Sequence, residues 1–319
     1  MQKNVPASHI IRQEIPTMYF IGVTTGQSTM TRLFPFWATL LGLHAQLVGV
    51  DLPLLAPIEH YREAVAQIKY DPLSMGALIN THKINLFNAA EDLFDALDPY
   101  AQLCREVDCI SKHDGRLMAH SMDPLGSGRA LKRILGPRYW GSSDGHVLCL
   151  GAGGAGTAIT VNLLTQADPG DRPQRLLVVN DHQYGLDRLR SIVAQIACTV
   201  EVECVLNTDP RRNDARLSTL PDGSLVINAT GMGKDRPGSP VTDEGLFPLH
   251  SVVWDLNYRG ELDFLRQARA QAKPRHVQVY DGWDYFVGSW AEHIAEIFQL
   301  AITQEQLARL VAKAQEMHT

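Results

Sequence analysis

The stretch Val147-Leu148-Cys149-Leu150-Gly151-Ala152-Gly153-Gly154-Ala155-Gly156 decides the fold class. Its first four residues are apolar, as in a buried strand, and residues 157–166 continue without a charge as a predicted helix. In such a strand–turn–helix unit the first glycine makes the tight turn, the second lets the backbone approach a pyrophosphate, and the third lets the helix pack on the strand. We therefore expect a dinucleotide here, against the alternative of a plain tight turn, with contacts at Gly151, Gly153, Gly154, Ala155 and Gly156.

The next apolar run, Leu176–Val179, is a predicted strand that ends in Asn180 and Asp181. A carboxylate at the end of this strand accepts hydrogen bonds from the adenosine ribose and would repel a 2′-phosphate. No Lys or Arg follows before Arg188. The sequence therefore favours NAD over NADP, unless Asp181 is only a solvated turn or cap residue.

A second loop of this unit, Asn228 to Gly233, follows the predicted strand Ser224–Asn228. Because loops at the carboxyl ends of the strands line the ligand crevice of a doubly wound sheet, we expect Thr230, Gly231 and Met232 near the nicotinamide. The alternative is an ordinary connection between a strand and a helix. Val252–Leu256 is a further predicted strand of the same sheet.

The chain before this unit alternates predicted strands and helices, which indicates a mostly parallel sheet. The predicted strands are Tyr19–Val23, Ala45–Val50 and Ala77–Ile79, and the predicted helices are Arg32–Leu43, His60–Lys69 and Lys83–Ala96. The closing segment, Gly288 to Glu316, is predicted to be helical and amphipathic.

Composition excludes several classes of protein. A length of 319 residues suggests two domains. A net charge of −6 without a Lys/Arg-rich block predicts no nucleic-acid binding. Five cysteines without a CxxC pair and twelve histidines without metal-ligand spacing predict neither disulfides nor a metal site, and they suit a cytoplasmic protein. Met1 to Thr17 has no apolar targeting core, and the uncharged stretch from Val147 to Ala167 is explained by the glycine loop rather than by a membrane helix.

Two residues outside the glycine loop suit proton transfer. Lys83 lies at a predicted strand–helix junction, and Asp123 lies just before the dinucleotide-binding region begins. A lysine beside an aspartate can move a proton to or from a hydroxyl, which is what alcohol oxidation by hydride transfer requires. From spacing alone, a surface lysine and a capping aspartate remain the alternative.

The sequence resembles the shikimate/quinate dehydrogenase family from about Tyr19 to about Phe298. The resemblance is carried by seven segments in order: Tyr19–Gly22 with Ser28, Gly76–Lys83, Glu106–Ile110 with Gly115–Leu117 and Asp123, Gly151–Gly156, Ile227–Gly233, Asp255–Tyr258, and Gly282–Gly288. It implies that Lys83 and Asp123 are the catalytic pair. It also implies that Ser28, Asp108, Ser121, Tyr258 and Ser289 contact the substrate.

Several of these positions depart from the family pattern. The second serine of the family's carboxylate clamp falls at Met30, its substrate asparagine at Asp108 and its glutamine at Ser289. Asp108 adds a negative charge that disfavours an anionic substrate, unless the acid is protonated or pairs with Arg105 or with a substrate amine.

The resemblance implies an α/β chain of two domains with a cleft between them. These are an α/β substrate domain, residues 1–124 plus 280–319, and a doubly wound Rossmann domain, residues 125–279. The implied function is NAD(P)-dependent hydride transfer to or from a secondary alcohol or ketone of a small polar hydroxy acid. The altered contacts leave two alternatives, a shikimate or quinate dehydrogenase with unusual contacts and a non-catalytic dinucleotide-binding sensor or regulatory protein. The implied binding partner is a small-molecule substrate. The oligomeric state is left open, with a homodimer as one alternative.

Overall fold

The computed structural model describes residues 10–234 and 236–318. The first nine residues, part of the stretch in which we predict no targeting segment, lie outside it. The chain divides into two compact units: unit 1 comprises Met1–Met122 with Val287–Thr319, and unit 2 comprises Asp123–Phe286. Within the described part of the chain, no helix combines the length and the apolar character needed to cross a bilayer.

Unit 1 contains one sheet of six strands. Its strands are β1 (Thr17–Gly22), β2 (Gln46–Asp51), β3 (Ser74–Ile79), β4 (Ala96–Leu97), β5 (Cys109–His113) and β6 (Arg116–His120). The order is β2-β1-β3-β5-β6-β4, and β5 runs antiparallel to both β3 and β6. Of these six strands in the described part of the chain, five run in one direction and β5 runs in the other, so the prediction of a mostly parallel sheet is confirmed. Asp114 and Gly115 both have positive φ, at 49° and 77°, and form the tight turn between β5 and β6.

The helices of unit 1 differ from the sequence prediction at two points. They are α1 (Thr29–Leu40), α2 (Ile58–Tyr70), α3 (Lys83–Ala90), α4 (Pro99–Cys104), α10 (Trp283–Phe298, which the division between the units crosses) and α11 (Gln304–His318). Helix α3 ends at Ala90 rather than at Ala96, where Arg62 donates to the Ala89 carbonyl and pairs with Asp92. The closing segment is two helices, because Gln299 has a φ of +55°. A capping box of Thr303 and Gln306 then starts α11.

Unit 2 is a doubly wound Rossmann fold with six parallel strands. They are β7 (Val147–Leu150), β8 (Arg175–Asn180), β9 (Glu201–Leu206), β10 (Leu225–Asn228), β11 (Val252–Asp255) and β12 (Gln278–Tyr280). The order β12-β11-β10-β7-β8-β9 is the 3-2-1-4-5-6 order of dinucleotide-binding folds. The strand order reverses between β7 and β10, so the loops after these two strands lie where folds of this topology bind their ligands.

Helices cover both faces of the unit 2 sheet. They are α5 (Asp123–Leu135), α6 (Gly154–Thr165), α7 (Gln183–Val193), α8 (Pro210–Leu217) and α9 (Asp263–Gln271). Helix α6 is buried along nearly its whole length, which explains the absence of charge from residues 157–166. One apolar cluster includes Ile159, Leu186 and Trp254, and a second includes Leu148, Phe247 and Phe264.

Candidate active site

The glycine loop of unit 2 has the geometry that its sequence predicts. Gly151 has a φ of +114°, and a Cβ there would lie 2.6 Å from the Ala229 carbonyl oxygen. A Cβ at Gly156 would lie 2.0 Å from the Gly151 oxygen, so only glycine allows α6 to pack this close. Gly153, by contrast, is exposed and has no neighbour within 4 Å of its Cβ position. The loop is therefore tight underneath and open at the start of α6, as a bound pyrophosphate requires.

The end of β8 supports this loop. The Asn180 side-chain oxygen accepts a hydrogen bond from the Ala152 amide at 3.0 Å, and its amide group donates to the His182 carbonyl. Asn180 therefore fixes the glycine loop from the neighbouring strand.

Asp181 has a charged partner that its own segment of sequence does not contain. Its Oδ2 lies 2.8 Å from Nη2 of Arg236, which follows β10 in the chain. Arg188 of α7 donates to Thr157 on α6 at 3.3 Å. The prediction of NAD was based on the residues next to Asp181 in the sequence alone. The fold adds a guanidinium that offsets the carboxylate's repulsion of a 2′-phosphate.

The loop after β10 is held by its own side chains. Asn228 Oδ1 accepts hydrogen bonds from the backbone and the hydroxyl of Thr230, at 3.1 and 2.6 Å. The same hydroxyl accepts from the Met232 amide at 3.1 Å. The Ala229 amide donates to the Leu150 carbonyl, so Thr230, Gly231 and Met232 lie beside the glycine loop.

Asp255, at the end of β11, belongs to the same network. Its Oδ1 accepts hydrogen bonds from Asn228 Nδ2 at 3.1 Å and from the Asn257 amide at 2.9 Å. Burial raises the pKa of this carboxyl to about 7, and the hydrogen bonds oppose the rise only in part.

The predicted catalytic residues both begin helices. Lys83 is the first residue of α3 in unit 1 and is partly exposed, and Asp123 is the first residue of α5 in unit 2 and is 6% exposed. The neighbouring His82 is buried, with its ring nitrogens 3.2 Å from the Tyr61 hydroxyl and 2.9 Å from the Leu52 carbonyl oxygen. These contacts give His82 a structural role beneath the start of α3.

The predicted substrate residues occupy different surroundings. Ser28 caps α1 and accepts from the Met30 amide at 3.3 Å, and Met30 is fully buried. Ser121 is fully buried and donates to Glu106 at 3.4 Å. In unit 2 the Tyr258 ring packs on Trp283 and Phe286, with centroids 5.3 and 4.6 Å apart.

Asp108 pairs with a residue that the sequence analysis did not consider. Its Oδ1 lies 3.4 Å from Nε2 of His293, and both side chains are buried. Arg105, which we considered as a partner, instead pairs with Glu91 at 3.0 Å and lies over the Phe87 ring. His293 follows Ser289 by four residues and therefore lies on the same face of α10. This spacing from a predicted substrate residue was the sequence feature that could have pointed to His293.

No group of three or more His, Cys, Asp or Glu side chains is arranged to hold a metal ion among residues 10–234 and 236–318. All five cysteines are free thiols.

The chain is similar in sequence to shikimate dehydrogenases, and the solved structures of similar fold include shikimate and quinate dehydrogenases. No protein-family model matches the chain. It is 31% identical over 182 residues to a shikimate dehydrogenase (NADP(+)) of Streptococcus thermophilus, a match that spans 56% of this chain and only 58% of that relative. It is 29% identical over 257 residues to the shikimate dehydrogenase (NADP(+)) of Symbiobacterium thermophilum, covering 77% of this chain and 80% of the relative. Among solved structures, quinate dehydrogenase from Corynebacterium glutamicum in complex with NAD superposes with a TM-score of 0.71 at 19% identity, covering 95% of this chain and 99% of that one.

Proposed function

We propose that this chain is a shikimate dehydrogenase-like, nicotinamide-dependent oxidoreductase acting on a small polar hydroxy acid. The observation that carries the proposal is the open glycine loop beside Thr230–Met232 at the point where the strand order of unit 2 reverses. The residues present fit a nicotinamide dinucleotide, because a Cβ at Gly151 or Gly156 would fill the space beneath the loop. When bound, this cofactor accepts or supplies the hydride.

Lys83 and Asp123 exchange the hydroxyl proton in the proposed reaction. In the oxidative direction the substrate carbon loses a hydride while its hydroxyl loses a proton to this pair, which leaves a ketone. In the reductive direction the pair returns the proton to the oxygen as the hydride reaches the carbon. The pair therefore needs one member that has lost its proton and can accept another.

Substrate recognition in this proposal falls to two sets of residues. Ser28, Tyr258 and Ser289 are partly exposed, and we propose that they contact the substrate directly. Asp108 and Ser121 are buried, and we propose that they shape the site from beneath. Met30 replaces a hydroxyl donor of the family pattern, so we expect weaker binding of a carboxylate than a serine would give.

For the cofactor we propose NAD as the preferred dinucleotide. Asp181 would accept a hydrogen bond from a free ribose 2′-hydroxyl, and its Oδ2 lies 2.8 Å from Nη2 of Arg236. With NADP, Arg236 would instead leave Asp181 for the phosphate. Comparing kcat/KM for NAD and NADP in the wild type and in Asp181→Ala tests this. We expect Asp181→Ala to lower kcat/KM for NAD and to raise it for NADP. An unchanged ratio of the two kcat/KM values would contradict the proposal.

We also propose a cytoplasmic location, which the five free thiols suit.

The function itself is tested by following absorbance at 340 nm with NAD or NADP and a panel of shikimate, quinate, small polyols and hydroxy acids. Lys83→Ala should lower kcat by about 10²- to 10⁴-fold, the usual contribution of a positioned acid or base. Lys273→Ala, an exposed lysine of unit 2, is the matched control and should keep full activity. Turnover by Lys83→Ala at the wild-type rate would contradict the proposed role. NADH binding without turnover on any compound would favour a non-catalytic sensor.

A further inference from the structure

Asp108 is fixed tightly within unit 1. Its carbonyl accepts from the Ile79 amide at 2.8 Å, and its amide donates to the His120 carbonyl at 3.0 Å, so the residue lies between the ends of β3 and β6. The side chain is 1% exposed. Its Oδ1 also accepts from the Met122 amide at 2.8 Å. The carboxylate therefore cannot turn freely, and its charge acts from one place.

The contacts of His293 indicate which of its ring nitrogens carry a hydrogen. Its Nδ1 lies 2.7 Å from the Ser289 carbonyl oxygen, which can only accept a hydrogen bond, so Nδ1 carries a hydrogen. Its Nε2 faces Asp108 Oδ1. Burial raises the pKa of Asp108, but the hydrogen bond from His293, the charges of Lys83 and His293, and the Met122 amide outweigh it and lower the pKa below its ordinary value. With a hydrogen on Nε2 as well, His293 would be an imidazolium that balances the charge of Asp108.

Lys83 begins α3 next to the segment that carries Asp108. Its charge is among the causes that lower the pKa of Asp108, and the interaction is reciprocal: an uncompensated Asp108 carboxylate would hold the proton on Lys83. The Val107 amide donates to the Lys83 carbonyl at 3.2 Å and joins the segment before β5 to the start of α3.

The other titratable groups of unit 1 near these elements have partners of their own. His82 contacts Tyr61 and the Leu52 carbonyl, and Glu106 accepts from Ser121. At the end of β6, His120 contacts Ser111 at 2.8 Å and lies 3.3 Å from Glu296 on α10 and 3.6 Å from Asp98 before α4. His113 shares Ser111 and Glu296 with it.

We propose that His293 is a positioning residue that acts on Lys83 through Asp108: by pairing with the buried carboxylate, it weakens the hold of that negative charge on the Lys83 proton. The inference rests on the proposed function of Lys83. It gives the aspartate that replaces the family's asparagine a partner that restores the neutral charge of the amide.

The test follows the protonation of Lys83 with and without turnover. The rate at which acetic anhydride acylates Lys83 is measured against pH by peptide mass spectrometry in the wild type, His293→Gln, Asp108→Asn and the double variant. The pH profile of kcat is measured in parallel with a substrate from the panel. His113→Gln, a partly exposed histidine that contacts Ser111 and Glu296, is the control.

We expect His293→Gln to shift the acylation profile upward by about one pH unit, so that labelling at pH 7 slows about tenfold. Asp108→Asn should not shift it upward, and the double variant should return it to the wild-type position. An unchanged profile in His293→Gln, or an upward shift that the double variant keeps, would overturn the inference, even if the melting temperature falls. If labelling behaves as expected and no substrate turns over, the pair's action on Lys83 stands and the proposed function fails. If Lys83→Ala abolishes turnover but the profile does not move, the reverse holds.

Discussion

The buried carboxyl of Asp255, which accepts a hydrogen bond from Asn228 at the start of the loop after β10, makes the stability of the protein depend on pH. Asp255 Oδ2 has no hydrogen-bond partner among the described residues, and only Oδ1 is satisfied. Its pKa of about 7 lies above the ordinary 3.8. Between pH 3.8 and about pH 7, the folded state therefore keeps this carboxyl protonated, whereas the unfolded chain has released the proton. The resulting stabilisation is complete below about pH 4 and is lost as the pH rises through about 7.

We predict that Asp255→Asn removes this loss, because an amide cannot ionise. At one pKa unit per 1.4 kcal/mol, the effect at pH 8 is at most ~4 kcal/mol in favour of the variant. Urea unfolding of both proteins at pH 5, 6, 7 and 8 measures it. The variant's free energy of unfolding should vary less with pH, whereas exposed Asp222→Asn should follow the wild type. Parallel curves for Asp255→Asn and the wild type would show that the carboxylate stays ionised.

The glycine loop gives a prediction at the same scale. Gly151→Ala forces a side chain into a positive-φ position and against the Ala229 carbonyl, and should destabilise unit 2 by about 3 kcal/mol or more. Gly153→Ala meets no neighbour and should leave stability within ~1 kcal/mol. Because Gly153 faces the proposed pyrophosphate, however, we expect its substitution to weaken NADH binding at least tenfold. Melting curves and NADH fluorescence separate the two effects, and tight NADH binding by Gly153→Ala would place the phosphates elsewhere.

At the scale of elements, α11 is fastened to α1 by a buried side chain. Trp37 is 0% exposed, and its Nε1 donates to the Leu310 carbonyl at 3.1 Å. Phe36 extends the contact outside, where the Lys313 ammonium lies 4.8 Å from its ring centroid. Helix α11 is thereby part of the core of unit 1.

We predict that Trp37→Phe costs about 2–3 kcal/mol, from the lost hydrogen bond and the cavity left by the smaller ring. Thr303→Ala removes only the cap of α11 and should cost about 1 kcal/mol. Limited proteolysis should cut α11 faster in Trp37→Phe than in Thr303→Ala. Equal rates in the two variants would mean that the cap, and not the contact with α1, holds the helix.

The elements that the sequence could and could not predict differ in exposure. Buried strands such as β7 and β10 are continuous apolar runs and were predicted nearly to the residue. Strand β9 was missed because it lies at a sheet edge, where Glu201 and Glu203 face solvent. The hairpin of β5 and β6 was missed although Asp114-Gly115 is a recognised turn signal, and its reversed strand β5 is the exception in a sheet that is mostly parallel, as predicted.

At the scale of the whole molecule, the fold class was predictable and the charge partners were not. The α/β class follows from one glycine loop and the alternation around it, and the two domains follow from the chain length and the family resemblance. The partners of Asp108 and Asp181 are 185 and 55 residues distant in sequence, and no local pattern joins them. Such pairs form only when the fold brings together segments that are far apart in the sequence. The residues most informative about specificity are therefore the ones a single sequence reveals least.

The last prediction concerns how the molecule as a whole responds to the proposed cofactor. Each unit has its own sheet and apolar core, so a ligand held by the loops after β7, β8 and β10 stabilises unit 2 directly. At 100 times its Kd, NADH should stabilise that unit by about 2.7 kcal/mol. Hydrogen exchange should then slow by up to ~100-fold in the core strands of unit 2 that exchange through its unfolding. The strands β2, β5 and β6 of unit 1 should change far less. Equal protection in both units would mean that they unfold as one cooperative body, and the stability effects of Trp37→Phe and Gly151→Ala would then be felt throughout the chain.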